Sequence, residues 1–241
     1  MRLAIVVGLA AEARIVGSPG AEALIGAGQA DRLAADLEAA IAGGARRLLS
    51  FGVAGALAPR LVPGDLVVGR VLIDGATRTP CDPAWAAAMM KRLAPGQSSS
   101  RVEQSPDDRA TRVFLADIAG ADAPVGEAAG KAALRAATDA AAVDMESAVV
   151  ARAAARHRLP FAILRAIADP ADRALPPAAL SAMRADGGVD LAGIAGALVR
   201  RPGQLPALAR LALDARRAFG ALARARALLG ADFASIDLGE L

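Results

Sequence analysis

The chain has 241 residues, 55% hydrophobic, 22% charged and 2% aromatic, with 28 basic against 25 acidic side chains for a formal net charge of +3. A chain this long and apolar is not disordered or low-complexity, and basic residues this scattered do not form the clustered face that nucleic acid requires. The lone Cys81 excludes an intrachain disulfide, and with the single His157 it excludes the common structural zinc sites. No run of 18 or more residues lacks a charge, so no membrane span is predicted. No charged-apolar-small signal pattern opens the sequence, so the expected compartment is the cytosol.

In chain order, residues 3–8 (LAIVVG) are a short apolar run ending in glycine, the pattern of a strand buried on both faces of a parallel sheet. A brief helical stretch follows around Glu12, then a short strand at 23–26. A helix is predicted over 29–41, where Leu33, Leu37 and Ile41 make one apolar stripe. Residues 47–52 (RLLSFG) and 66–73 (LVVGRVLI) are the next strands, parted by the Pro63-Gly64 turn. The polar, turn-rich stretch 94–112 reads as a long loop. Beyond it come a helix at 127–137, a strand at 140–144, a helix at 145–156 and a strand at 160–168. Pro176-Pro177 interrupts, and helices follow at about 189–200 and 205–229. In the last helix Leu208, Leu211, Ala215, Leu222 and Leu229 mark an apolar face, while Arg210, Asp214, Arg217 and Arg224 mark a charged one.

In open α/β sheets ligands bind beyond the carboxyl ends of parallel strands. Three acidic segments fall there: Glu12 in GLAAEA, Asp144 and Glu146 in VDMES, and Asp169 with Asp172 in AIADPAD. A single acid after a strand ordinarily caps a helix or sits solvated in a loop; three brought together by topology ask for another account. Gly52-Val53-Ala54-Gly55-Ala56 would bring backbone amides close to a ligand. The dinucleotide fingerprint fails, because Asp31 stands at its third glycine, and neither a Walker sequence nor a serine-hydrolase elbow occurs. His157, in ARHRLP at a helix end, suits the helix dipole, and Cys81 beside Asp82-Pro83 reads as incidental.

In order and spacing, GLAAE at 8–12, GVAGALAPRLVPG at 52–64 followed by DLVV, VDMES at 143–147 and RAIADPAD at 165–172 resemble the nucleoside phosphorylase and nucleosidase superfamily. The pattern is most similar to the methylthioadenosine and adenosylhomocysteine nucleosidases, and the long C-terminal helices resemble its hopanoid-biosynthesis branch, associated with a phosphorylase or adenosylhopane nucleosidase. The resemblance covers about residues 1–200. It implies a single-domain, three-layer αβα fold with a central mixed, mostly parallel sheet, residues 1–200 forming the catalytic domain and 201–241 a helical extension packed on it. The reaction it implies releases adenine from a 5′-substituted ribose through an oxocarbenium-like state, so the base must be protonated and positive charge on the sugar tolerated.

Carried over by position, Asp169 is the acid that protonates N7, and Glu12 the carboxylate that activates water. Glu146 holds the ribose hydroxyls, Met145 packs on the sugar, and Val53, Gly55 and Arg165 complete the substrate site. A carboxyl with a pKa of about 3.9 donates poorly at neutral pH, and lifting it by about 3 units costs roughly 4 kcal/mol. Asp169 is therefore expected to be buried, with Arg165 orienting a neighbouring carboxylate. The sequence departs from the phosphorylase pattern where Ser50 and Val53 stand in place of phosphate ligands and Arg14 is no secure equivalent of a second; with Glu12 retained, this favours water over phosphate as nucleophile. No phenylalanine in VGEAAGKAAL matches the one that stacks on adenine. A pocket of Ala, Leu, Val and Phe would accept an alkyl, even lipid-linked, 5′ group, and the amphipathic last helix would either meet a membrane surface or pack on the sheet or a partner subunit. The resemblance implies a homodimer or larger assembly, with no metal or other cofactor. Two rivals stay open: a phosphorylase giving a ribose 1-phosphate derivative, and an inactive nucleoside-binding or membrane-surface protein whose acids need not share a pocket.

Overall fold

The computed structural model describes residues 2–17, 22–95, 111–180, 182, 184 and 186–235. Its elements alternate as β1 (Arg2–Val7), α1 (Ala10–Val16), β2 (Glu22–Ile25), α2 (Ala30–Ala42), β3 (Ala45–Ala56), β4 (Leu66–Asp74), β5 (Thr77–Pro80) and α3 (Pro83–Leu93). They continue as β6 (Val113–Gly120), α4 (Ala128–Thr138), β7 (Ala142–Asp144), α5 (Ser147–His157), β8 (Phe161–Asp169), α6 (Pro177–Leu180), α7 (Leu191–Arg200) and α8 (Leu205–Leu229). Of the polar stretch at 94–112, residues 96–110 lie outside the described residues.

The fold is α/β with a mixed sheet. β1 lies between β2 and β3, parallel to both, and β8 runs parallel to β3. β4, β6 and β7 form a second parallel set, joined to the first where β8 meets β4 and β7 meets β3 antiparallel. The pairings β3-β8-β4-β6-β7-β3 therefore close a circuit of five strands, which local patterning cannot announce because it depends on edges meeting. Alternation along β1 shows how the sheet is buried. Ala4 and Val6 pack with the α2 and α5 side chains, whereas Ile5 and Val7 pack with α3 and α8.

Three departures from the sequence reading have physical causes. GVAGA does not follow the strand; paired with β8 it is the second half of β3, and the missing Cβ of Gly52 and Gly55 leaves room for the side chains of Glu12, Arg165 and Asp169. The helix α3 and the strand β6 were not anticipated: alanines flatten the periodicity of PAWAAAMMKRL, and Asp117, which accepts from Arg70 Nε at 2.7 Å, interrupts VFLADIAG. Asp214 does not share the charged face of α8. It is buried, accepting from Arg173 Nη1 at 2.6 Å and Arg217 Nη1 at 2.9 Å, while the helix packs Ala218, Ala221, Leu222, Ala225 and Leu229 toward β8.

Candidate active site

Glu12 enters the protein from the first turn of α1, where free backbone amides favour an anion. Its Oε2 accepts from Gly8 N at 2.7 Å and Leu9 N at 2.9 Å, and its Oε1 accepts from Val53 N at 2.7 Å, tying β1 to β3. The side chain is buried, and burial pushes its pKa above the ordinary carboxylate value against the pull of Arg165 and these amides.

Arg165 sits on β8 directly opposite Gly52 of β3 and is fully buried. Its Nε donates to Asp144 Oδ2 at 2.9 Å, and its Nη2 donates to Ser50 Oγ at 2.6 Å and Ser147 Oγ at 3.1 Å. Burial pulls the pKa of the guanidinium down, and Asp144, Glu146 and Glu12 together more than offset it, so that it stands above its ordinary value. Its Nη1 is buried without a hydrogen-bond partner among the described residues. That atom lies on the Glu12 side, since a Cβ built on Gly52 would stand 2.7 Å from it and 2.6 Å from Glu12 Oε1.

The two acids of VDMES divide their labour. Asp144 accepts from Glu146 N, Ser147 N and Ser147 Oγ at 3.0, 2.7 and 2.6 Å, so it caps α5 and anchors Arg165. Glu146 instead points toward β1 and β2: a Cβ on Gly8 would lie 3.0 Å from its Oε1, and one on Gly26 2.8 Å from its Cγ. Met145 and Glu146 line one small cleft with Gly26, Gly28, Gln29 and Asp122. Burial, with Asp144 and Glu12 nearby, raises the Glu146 pKa to about 7 in spite of Arg165. A larger cavity of about 230 Å³, lined by Arg2, Leu24, Asp36 and Ala45 among others, lies at the opposite, amino end of the first strands, away from these acids.

Asp169 ends β8. The β3–β8 register skips a residue there, Ala54 facing Ile167 and Gly55 facing Asp169, and this irregularity turns the carboxyl toward Gly55, whose Cβ would lie 3.3 Å from either oxygen. Its side chain is 13% exposed. Burial raises its pKa, opposed by Lys131 and Arg173. Gly52 and Gly55 are three residues, about 10 Å, apart along β3, so Glu12 and Asp169 meet this strand at two separate points.

The structure thus brings Glu12, Glu146, Arg165 and Val53 together, and sets Asp169 against Gly55 further along β3, among Lys131, Arg173 and Asp214. It keeps Ser50 occupied by Arg165 and Ser147, and leaves Arg14 exposed on α1. His157 ends α5, its Nε2 2.7 Å from Glu38 Oε2, and Cys81 is buried with its thiol pKa pushed up by burial. The sequence reading passed over Lys131. It is fully buried, and its Nζ donates to Asp169 Oδ2, to Pro170 O at 2.8 Å and to Arg173 O at 3.0 Å. A lysine among the alanines of α4, in a chain with only Lys91 besides, was the available signal.

The family model described as Phosphorylase superfamily matches residues 3–200. A search of curated proteins by sequence found no match. Among solved structures the chain is similar to the 5′-methylthioadenosine/S-adenosyl homocysteine nucleosidase of Campylobacter jejuni, with TM-score 0.56 and 20% identity, covering 71% of this chain and 86% of that one. The futalosine hydrolase of Helicobacter pylori gives TM-score 0.57 at 18% identity over 69% and 87% of the two chains. The S. pneumoniae methylthioadenosine/S-adenosylhomocysteine nucleosidase gives 0.57 at 17% identity over 95% and 100%. At these identities the likeness is one of fold.

Proposed function

The chain belongs to the phosphorylase superfamily, and from that premise we propose that it is a nucleosidase that cleaves the N-glycosidic bond of a 5′-substituted adenosine by attack of water and releases adenine. Asp169 delivers the proton to the base as the carbon–nitrogen electron pair moves onto it. Glu146 accepts the ribose hydroxyls, with Met145 against the sugar, and Glu12 takes the proton of the attacking water. Val53 and Gly55 supply the backbone along which the nucleoside lies. The observation that carries the choice of water is that the positions of the phosphate ligands are already used, Ser50 Oγ bonded to Arg165 and Ser147 and Val53 N donating to Glu12, which leaves Arg165 Nη1, on the Glu12 side, as a buried donor with no partner among the described residues. A buried donor and a buried carboxylate facing one space suit a small molecule that can both donate and accept.

The same free donor would suit a phosphate oxygen, so the phosphorylase reading is the second one, and one assay separates them. The protein is incubated with adenosine, 5′-methylthioadenosine and a 5′-alkyl adenosine, each with and without phosphate, and free adenine is measured. Release independent of phosphate is expected; strict dependence on phosphate overturns the hydrolase, and no release from any nucleoside overturns the enzyme in favour of a binding protein. Asp169→Asn is expected to lower turnover by about 100-fold or more, the scale of a lost general acid.

The resemblance to the hopanoid branch suggests an alkyl 5′ group, as in the conversion of adenosylhopane to ribosylhopane. Residues 1–200 are assigned as the catalytic unit and 201–241 as an extension packed on it, in a cytoplasmic homo-oligomer able to meet a membrane at its surface. No helix of the described residues is long and apolar enough to cross one. Val199, Leu205 and Leu213, more than half exposed, are apolar surface available to either contact.

A further inference from the structure

Lys131 is in an unusual position for a lysine. It lies inside α4 with no exposed surface, and a lone ammonium there would be costly to bury. Its three protons meet three oxygens: the carboxylate of Asp169 and the carbonyls of Pro170 and Arg173, in the segment that follows β8. The remaining charged groups that face Asp169 are Arg173, from that same segment, and Asp214, from α8, which bond to each other. Lys131 is therefore the cation in direct contact with the carboxyl. Resting on the reading of Asp169 as general acid, we propose that Lys131 is the positioning residue of the proton transfer: its ammonium orients Asp169 through Oδ2 and stabilises the negative charge left there once the proton has gone to the departing base.

The step balances within the site. The O–H bond of Asp169 breaks as an N–H bond forms on the base, the glycosidic electron pair passes to the base, and the new carboxylate is met by an ammonium already hydrogen-bonded to it. A general acid works best when neither too weak nor already ionised at the working pH. Burial alone makes a carboxyl too weak, and an adjacent cation moves it back. The two carbonyls that share the ammonium fix the donor, so the carboxyl keeps one orientation against Gly55.

The test is the pH profile of kcat for adenine release from 5′-methylthioadenosine in wild type, Lys131→Met, Lys131→Arg and Asp169→Asn. In Lys131→Met the charged form of Asp169 loses its cation, so Asp169 keeps its proton to higher pH. The alkaline limb is expected to move up by a unit or more, and the kcat plateau to fall about tenfold as the acid weakens, with KM changed less than threefold. Lys131→Arg, which restores a cation, is expected to return the limb toward wild type. If Lys131 serves only to tie the segment after β8 to α4, the limb stays in place while kcat and the melting temperature drop; that result, or a downward shift, overturns the inference. Near-normal turnover in Asp169→Asn would remove the general-acid reading, and this inference with it. An inactive Asp169→Asn combined with an unmoved limb in Lys131→Met removes this inference alone. Should the Lys131 variants not fold, nitrogen-15 spectra of lysine-labelled wild type give two Nζ signals, assigned with Lys91→Arg. The Lys131 signal is expected to shift between wild type and Asp169→Asn, and a signal that does not move overturns the proposal.

Discussion

Glu146 carries the residue-scale chemistry that pH reads most directly. Its ordinary value of 4.5 is raised to about 7 by burial, so it takes up a proton as the pH falls through neutrality. A protonated carboxyl offers one acceptor fewer to a pair of ribose hydroxyls. KM for the nucleoside is therefore expected to rise on acidification, by about fivefold between pH 7 and pH 6 if only the ionised form binds. In Glu146→Gln, KM should be high at every pH and nearly flat. A wild-type KM constant from pH 8 to 6 would remove Glu146 from the sugar. Two residues away, Asp144 is spent on the amides and hydroxyl that open α5 and on Arg165. VDMES thus supplies one anchoring acid and one acid free to meet substrate, a division that its spacing does not display.

At the scale of elements, β3 and β8 place the chemistry. They run side by side from Leu48 and Phe161 to Gly55 and Asp169, so a residue on one strand meets a fixed neighbour on the other. Arg165 comes opposite Gly52, and the skipped residue before Asp169 swings the acid toward Gly55. The glycines are empty space for these side chains. Gly52→Ala would press a methyl to within 2.7 Å of both Glu12 Oε1 and Arg165 Nη1, closer than carbon and these atoms approach without movement. Turnover is expected to drop at least tenfold, as for other misplacements of about 1 Å, and the orphaned nitrogen of Arg165 to be displaced. Full activity in Gly52→Ala would show that the Glu12–Arg165 space is not where the nucleophile sits. Gly55→Ala, at 3.3 Å from the Asp169 oxygens, should have a smaller effect of the same kind.

In the molecule as a whole, α8 joins the core to the site. Its Leu222, with no exposed surface, packs in the cluster formed with Phe51, Trp85 and Leu164, and beyond the helix Phe233 meets Phe51 edge-on at 5.4 Å while its carbonyl accepts from Trp85 Nε1 at 2.9 Å. Leu222→Ala is expected to cost about 2–5 kcal/mol, the range for emptying a buried leucine position; a melting temperature within a degree of wild type would show that the helix is dispensable to the core. Through Asp214 the same helix also holds Arg173, whose carbonyl accepts from Lys131, so C-terminal helix, buried lysine and proposed acid form one connected chain of contacts.

The sequence by itself determined the strand at 3–8, the stripe Leu33, Leu37 and Ile41 of α2 and the late helices, and it singled out the acids Glu12, Glu146 and Asp169 as candidates, because periodicity and motif spacing are local properties of a chain. It misplaced GVAGA, took Asp214 for a surface charge and passed over Lys131. In helices this rich in alanine the contrast between faces is slight, so composition does not say which face is buried. Only the tertiary structure decided the closure of five strands, the bonding of Ser50 to Arg165 and the meeting of Lys131 with Asp169. Each depends on groups distant in sequence sharing one desolvated space, where charge and hydrogen bonds must be satisfied by whatever the fold brings within reach.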